Sequence, residues 1–530
     1  MSSTTTPHAN PRRHPPRRRP ARPRRRAGGR PRGSRGHAIW LAQYKEKVGK
    51  RREAKLKRRV RRSYQALQQQ TLGLVSMREV EELARQCGFY QRNPREIPAL
   101  EFALCCALAA TVEGKRSFAA VWRLLAAAAG IEVARSAVTQ RFGEGSARLM
   151  EELFVRAAAR LKSGPCPELL DRLEQFRAVL ANDGTVVMLS PLLKKLFPAT
   201  RTNCVEAAAK LHATADLVHR RIVGVVLTGE RDSEIAVVRS QPIVADTLYI
   251  NDLGYTSHDY FAEIKQAGAH VLMRLKDNAN PKVVRVRHGV HAPARVARDR
   301  VGLQQVTFTH CHDTFDVDAE FGTSDGTVIL RVVGCYNPET DKYHRYLTTL
   351  APEQFSPEEL ATLYSRRWII ELLFKLLKSS CHLDHVDTSD PAALRTHIYA
   401  SLLAATILTT MCGAAAQVHQ LPIHAISPLM LGIAAPLLVL PLLLLWLGRP
   451  LSPEALADCI IRVIAIGCRD QNPRRTRSKW GVLGTTLPDL LFAASYPFFL
   501  AWLHDTRDPT VQRAQGDVRP MTFAKHIHKL

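Results

Sequence analysis

Apolar and polar positions alternate in clearly different ways along the chain. Residues 1–37 are a Pro/Arg/Gly tract with too few apolar side chains to build a core, and disorder is expected there. From Ile39 to about Gln70 the prolines vanish, and Lys and Arg alternate with Trp40, Leu41, Tyr44, Leu56, Val60 and Tyr64, the pattern of a basic helix. Ala/Leu-rich runs continue to residue 165, interrupted at Asn93-Pro94 and Gly130, which predicts several helices. From Phe176 the texture changes to short β-branched runs. Phe176–Asn182, Ala208–Ala215 and Ile222–Thr228 predict an antiparallel meander, Asp232–Arg239 a polar helix, Thr247–Asn251 a strand, His258–Ala267 a helix and His270–Lys276 a strand. Val301–Thr309, Phe315–Phe321, Val328–Cys335 and Tyr343–Leu350 alternate again, so a β-rich insertion is expected.

Ser356-Pro357-Glu358-Glu359 puts Ser at an N-cap, Pro at the first helical position and Glu at the third, a strong helix start. The helix is expected to continue about six turns, through Lys378, and to stop at Ser379-Ser380. Further on, Ile426–Gly448 is uncharged and long enough to span a bilayer. Pro428, Pro436 and Pro441 interrupt it and instead predict shorter helices buried in a large domain, so no membrane partner is expected.

Three meander strands followed by α-β-α-β is the RNase H-like order. The expected fold class is α/β: an RNase H-like catalytic core with a β-rich insertion, flanked by helical N- and C-terminal regions. This gives a basic arm at 1–62, a helical DNA-binding domain at 63–165, a catalytic domain at 166–395 with its insertion at about 282–350, and a helical region at 396–530.

At 530 residues and 46% hydrophobic content, the chain has enough apolar material for several domains. Residues 1–62 hold 23 Lys and Arg against Glu46 and Glu53, so +21 of the net +27 lies in this arm. Such an arm suits a polyanion, because each neutralised phosphate releases a condensed counterion. The Pro-Arg runs at 15–20 and 23–31 forbid the amphipathic helix of an organelle transit peptide, and no secretory signal is read. Eleven cysteines without a C-x2-C pair support neither a zinc ribbon nor a disulfide framework and read as reduced intracellular thiols. His310-Cys311-His312 is not expected to bind a metal jointly, since adjacent strand residues face opposite sides. A cytoplasmic, nucleoid-associated protein is expected.

Ser117–Leu125, a turn at Gly130-Ile131 and Ala134–Phe142 have helix-turn-helix spacing. The second segment offers Arg135, Ser136, Thr139, Gln140 and Arg141 to bases and phosphates. A plain helical hairpin with a polar face fits the same residues. In the helix begun by Ser356, with ~100° per residue, Tyr364, Arg367, Glu371, Lys375 and Lys378 form one polar stripe. Ile369, Ile370, Leu372, Leu373, Leu376 and Leu377 form a broad apolar face, and Arg366 on that side is a flaw in it. Alone, the stripe is a solvent-facing row of pairs such as Arg367–Glu371. Two further acids at strand ends change its weight: Asp183 in Asn182-Asp183-Gly184-Thr185, and Asp252 in Asn251-Asp252-Leu253-Gly254. Each also reads as ordinary turn chemistry.

Together these residues closely resemble the insertion-sequence transposases of family four, whose signature Tyr-x2-Arg-x3-Glu-x6-Lys stands here as Tyr364, Arg367, Glu371 and Lys378. The family's two aspartates fall on Asp183 and Asp252, and Arg274-Leu275-Lys276 at a strand end also resembles it, over roughly residues 100–400. The resemblance implies a DDE transposase that cuts at transposon ends and joins the freed 3′-OH to target DNA. Asp183, Asp252 and Glu371 would be catalytic and would hold two Mg²⁺ or Mn²⁺ ions. Tyr364, Arg367 and Lys378 would contact DNA, with Arg274, Lys276, Arg135, Gln140 and Arg141 as further DNA-facing candidates. Three converging carboxylates repel one another unless protonated or bridged by cations, and hard oxygen donors favour Mg²⁺ or Mn²⁺. Double-stranded DNA, as ends and as target, and a dimer on paired ends are the implied partners. Two alternatives stay open: a nuclease of the same fold that cuts without joining, and a transposase-derived DNA-binding protein that has lost its chemistry. Some relatives cut through a DNA hairpin with an aromatic holding a flipped base. No Trp lies between Asp252 and Trp368, and Phe308, Phe315 and Tyr336 remain as candidates to stack.

Overall fold

The computed structural model describes residues 35–464 apart from 91–95, 113–117, 162–172, 174, 201–204, 310–313, 340, 385, 387, 422–424, 449–452, 455–456, 458–459 and 462–463. The expected disorder of 1–34, the His310-Cys311-His312 triplet and the helices expected beyond 464 lie outside these residues. The chain divides into two units, 1–58 and 59–530. In the first, the opening part of the Arg35–Gln70 helix carries the i,i+4 ion pairs Glu46–Lys50 and Glu53–Lys57 on exposed side chains.

The second unit is built on one nine-stranded mixed sheet. Its strands are β1 (Ala178–Leu189), β2 (Ala207–Asp216), β3 (Arg221–Gly229), β4 (Thr247–Asn251), β5 (His270–Arg274), β6 (Lys282–His288), β7 (Thr314–Thr323), β8 (Gly326–Asn337) and β9 (Lys342–Thr348). They lie in the order β3-β2-β1-β4-β5-β9-β8-β7-β6. β1, β2 and β3 are antiparallel, while β4 and β5 run parallel to β1. This is the RNase H-like core expected from the sequence. The insertion extends the same sheet, because β9 pairs antiparallel with β5 over Leu272–Arg274.

Two segments of the insertion depart from the pattern. Val301–Thr309 is not a strand: Leu303–Gln305 is a 3₁₀ turn, and the buried apolar residues Leu303 and Val306 are three apart, the spacing of a turn. The unanticipated edge strand β6 hides its alternation behind an arginine. Arg287 is drawn inward by Asp316 (3.1 Å) and Asp318 (2.8 Å).

Each face of the sheet has its own core. On one, Val179, Ala181, Ala213, Leu248 and Ile250 share a continuous apolar cluster with helices Ala99–Ala109, Glu144–Arg160, Trp368–Ser379, Pro391–His419 and Pro428–Trp446. Arg221 of β3 ties helix to sheet there, donating to the carbonyls of Ala158 and Ala159 at the helix end while pairing with Asp216. On the other, Tyr249, Val271 and Met273 pack with Tyr260, Phe261 and Ile264 of helix His258–Gln266.

Ile426–Gly448 does not break into shorter helices. Pro428 starts a single helix that runs to Trp446 with Pro436 and Pro441 inside it. Burial outweighs the missing backbone donors: Leu431, Ala435, Leu438, Val439, Leu442 and Leu443 pack inward, and Gly432 sits so close to Ser380 that a Cβ would lie 2.1 Å from its Oγ. Among the described residues, two helices are long and apolar enough to cross a membrane, Pro391–His419 with 94% of its apolar window buried and Pro428–Trp446 with 44%.

Candidate active site

Asp183 lies within β1, not at its end. The parallel ladder between β1 and β4 closes at Asn182–Asn251, after which β1 continues against β2 alone. Asp183 is thus the first residue beyond the point where β4 leaves the sheet, and Asp252, directly after β4, occupies the matching place. One layer down, Asn182 donates to Asn251 Oδ1 (3.1 Å) and accepts from Thr214 Oγ1 (2.8 Å), all three side chains being buried. This linkage fixes the two aspartate-bearing backbones side by side. Its signal is in the sequence, where Asn precedes Asp at both sites, but the reading above left those asparagines unused.

Glu371 arrives from a helix that is not continuous. The Ser356 cap forms as expected, with a reciprocal Ser356–Glu359 capping box, but that helix ends at Ser365 and a second runs Trp368–Ser379. Between them the backbone bonds tighten to i→i−3, from Arg367 N to Tyr364 O and from Ile370 N to Arg367 O (both 3.0 Å). The tightening also shifts the wheel, so that Leu372, assigned above to the apolar face, is exposed beside Trp368.

At this junction the three carboxylates surround one guanidinium. Arg367 reaches Glu371 at 2.5 Å, Asp183 at 3.5 Å and Asp252 at 3.9 Å, its own side chain being only 14% exposed. Burial works against its charge, but Asp252, Tyr364 and Glu371 outweigh burial and raise its pKa above the usual value. Burial also pushes the Asp183 carboxyl up to about 6. The Gly184 N–H and Arg367 pull it down, and Asp252 and Glu371 add to the rise. Despite the ion pair, burial dominates at Asp183. Among the described residues, no three His, Cys, Asp or Glu side chains enclose an ion directly. Asp183, Asp252 and Glu371 instead face a common centre across Arg367, and hard oxygen donors converging on a cation are a fitting set for Mg²⁺ or Mn²⁺.

The remaining candidates separate into two groups. Tyr364, near the end of the Ser356-capped helix, lies half-buried against Tyr346 and Arg367, and Lys378 extends from the Trp368–Ser379 helix to donate to Val186 O of β1 (2.9 Å). Arg274 and the exposed Lys276 sit at the end of β5, next to the β4 end that carries Asp252. Arg135, Gln140 and Arg141 belong to the helical layer and have no described contact with the carboxylates. The second helix of their pair is only Arg135–Thr139, with Arg135 and Gln140 exposed and Arg141 packed over Phe89. Of the proposed stacking aromatics, Phe315 is fully buried and stacks on Phe308, so it is core; Tyr336 is held by Asp341.

Residues 174–407 match the family described as "Transposase DDE domain". The putative transposase InsL of insertion sequence element IS186A from Escherichia coli K12 is 40% identical over 78 residues, 15% of this chain and 21% of that protein. The chain thus aligns with about a fifth of that relative's length. The transposase of insertion sequence element IS231C from Bacillus thuringiensis subsp. berliner is 23% identical over 369 residues, 62% of this chain and 76% of that protein. Among solved structures, the piggyBac transposase synaptic complex with hairpin DNA superposes with a TM-score of 0.38 at 10% identity, covering 82% of this chain and 89% of that one. The matched span opens just ahead of β1 and closes beyond Lys378, so the part of the chain that is similar to the transposase DDE domain encloses every residue that meets at Arg367.

Proposed function

We propose that the chain cleaves DNA at the ends of its own insertion element and joins the freed 3′ ends to target DNA. The observation that carries this reading is the convergence of Asp183, Asp252 and Glu371, from three separate elements, on one cationic centre. Asp183, Asp252 and Glu371 would hold two Mg²⁺ or Mn²⁺ ions, which when bound supply activation of the attacking oxygen and stabilisation of the leaving one. The rest of the site holds DNA. Arg367 suits a phosphate because its guanidinium is a rigid fork of donors, Lys378 adds a point charge on the same helix, and Tyr364 braces Arg367 from the side. Arg274 and Lys276 extend the basic lip, and a dimer on paired ends completes the assembly.

The test is incubation of the purified chain with DNA carrying its element's ends, with Mg²⁺ or Mn²⁺. Cleavage at the end followed by covalent joining is expected, and both should be lost in Asp183→Ala, Asp252→Ala and Glu371→Gln while DNA binding persists. Cleavage without joining would identify a simple nuclease. Full activity in any of the three variants would overturn the carboxylate assignment.

A further inference from the structure

Behind the two aspartates, on the sheet face away from Arg367, a fourth carboxylate is wedged between the segments that carry them. Glu234 opens the short helix Glu234–Arg239. Its carboxylate fills the notch between Gly184, the residue after Asp183, and Gly254, two residues after Asp252. A Cβ at Gly254 would lie 2.7 Å from Glu234 Oε2, and one at Gly184 would lie 3.3 Å from Oε1. Among the described residues, chain neighbours aside, the only atoms within 4 Å of a Cβ at Gly254 belong to Glu234, so the lack of a side chain at Gly254 leaves room for this contact. Lys210 of β2 holds the carboxylate in place at 3.3 Å, with both side chains largely covered. Next to it the fully buried Tyr255 hydroxyl has no hydrogen-bond partner among the described residues, and the charges of Glu234, Asp183 and Asp252 add to burial in raising its pKa.

We propose that Glu234, anchored by Lys210, is a positioning residue that sets the separation of Asp183 and Asp252 and thereby the affinity of the metal site. This inference rests on the metal-binding reading of those aspartates. Glu234 touches both β1 and the loop that leaves β4, whereas the Asn182–Asn251 bond one layer below ties the strands but not that loop. Outer partners of metal ligands commonly change affinity by about 10–100-fold when removed, because they hold the ligands in register.

The experiment measures Mn²⁺ affinity of the full chain by titration calorimetry, with the thermal unfolding midpoint recorded for each protein. Glu234→Ala should weaken Mn²⁺ binding at least about tenfold with an unchanged midpoint in EDTA. Gly254→Ala should do the same by displacing the carboxylate. In the double variant the new methyl meets no carboxylate, so the second substitution should add nothing to the first. Glu234→Gln, which keeps the wedge and an acceptor for Lys210, should restore most of the affinity. Wild-type Mn²⁺ binding in folded Glu234→Ala, or additive losses in the double variant, would overturn the proposal. Asp183→Asn is the control: if it too binds Mn²⁺ like the wild type, the metal-binding reading itself fails rather than the role of Glu234.

Discussion

Asp183→Asn is expected to stabilise the metal-free protein while abolishing its chemistry. The Asp183 side chain is 19% exposed, and burial lifts its pKa from 3.8 to about 6. The unfolded chain releases this proton near pH 3.8, so between that pH and about 6 the folded state binds more protons than the unfolded one. Stability therefore falls as pH rises through this window, and the full cost is present above pH 6. Two pKa units at about 1.36 kcal/mol each set the cost at about 3 kcal/mol. Asparagine removes the charge and keeps an oxygen to accept from the Gly184 N–H, now 2.8 Å from Asp183 Oδ1. That cost is already net of the attraction to Arg367 at 3.5 Å, so a gain of about 1–3 kcal/mol at pH 8 is expected. Urea denaturation in EDTA at several pH values reads this directly. The midpoint of Asp183→Asn should exceed the wild type at pH 8, and the two should converge toward pH 4. Equal or lower stability at pH 8, or a gain that ignores pH, would refute the reasoning.

Other consequences are measurable. Arg367→Ala should bind Mn²⁺ more tightly than the wild type in the absence of DNA and bind end DNA more weakly, since it removes a cation facing all three carboxylates; calorimetry and gel shifts check both halves. Arg331, buried and paired with Asp316 at 2.6 Å, also donates to Leu350 O and to Phe355 O at the entry to the Ser356 helix. Arg331→Met should cost about 3 kcal/mol by denaturation, because Asp316 and two carbonyls lose a buried donor. Deleting residues 1–58, which hold 20 Lys and Arg, should flatten the slope of log K against log salt by ~9 units if half of them engage phosphates, equally on random and on end DNA.

The core strands were legible because their burial is simple. β2, β3 and β4 each follow the expected span to within a residue or two, and Thr247–Asn251 coincides with β4. The candidate site residues were singled out through spacing, yet their geometry was not legible there. A helical wheel assumes 100° per residue, and the i→i−3 bonds at Arg366-Arg367 break that assumption at the point where the site is built. Pro436 and Pro441 misled for the opposite reason: local propensity was read correctly, and tertiary burial overrode it. Glu234 left no signal, because an acid beside a turn glycine is ordinary until the fold brings Gly184 and Gly254 to either side of it.

Apart from the contact of Glu234 with both aspartate segments, the three candidate carboxylates are positioned by separate devices, and this bears on which substitutions the site can tolerate. Asp183 is fixed by the β1–β2 ladder that continues past it, so its backbone cannot move without breaking paired residues on both sides. Asp252 has no strand beyond it and depends on the Asn182–Asn251 bond below and the turn Leu253–Tyr255 above. Glu371 depends on the tightened junction and on Ile370, Leu373, Phe374 and Leu377, which press its helix onto the large core. A fault in one device leaves the other two carboxylates in place. It follows that Asn251→Ala should displace Asp252 alone, weakening Mn²⁺ binding while the Arg367–Glu371 pair and the fold persist. Because Asn182 would keep its bond from Thr214, the loss should fall short of that in Asp252→Ala. Mn²⁺ titration of the two variants side by side decides the point, and an Asn251→Ala protein as devoid of Mn²⁺ binding as Asp252→Ala would show that the positions are coupled rather than separately held.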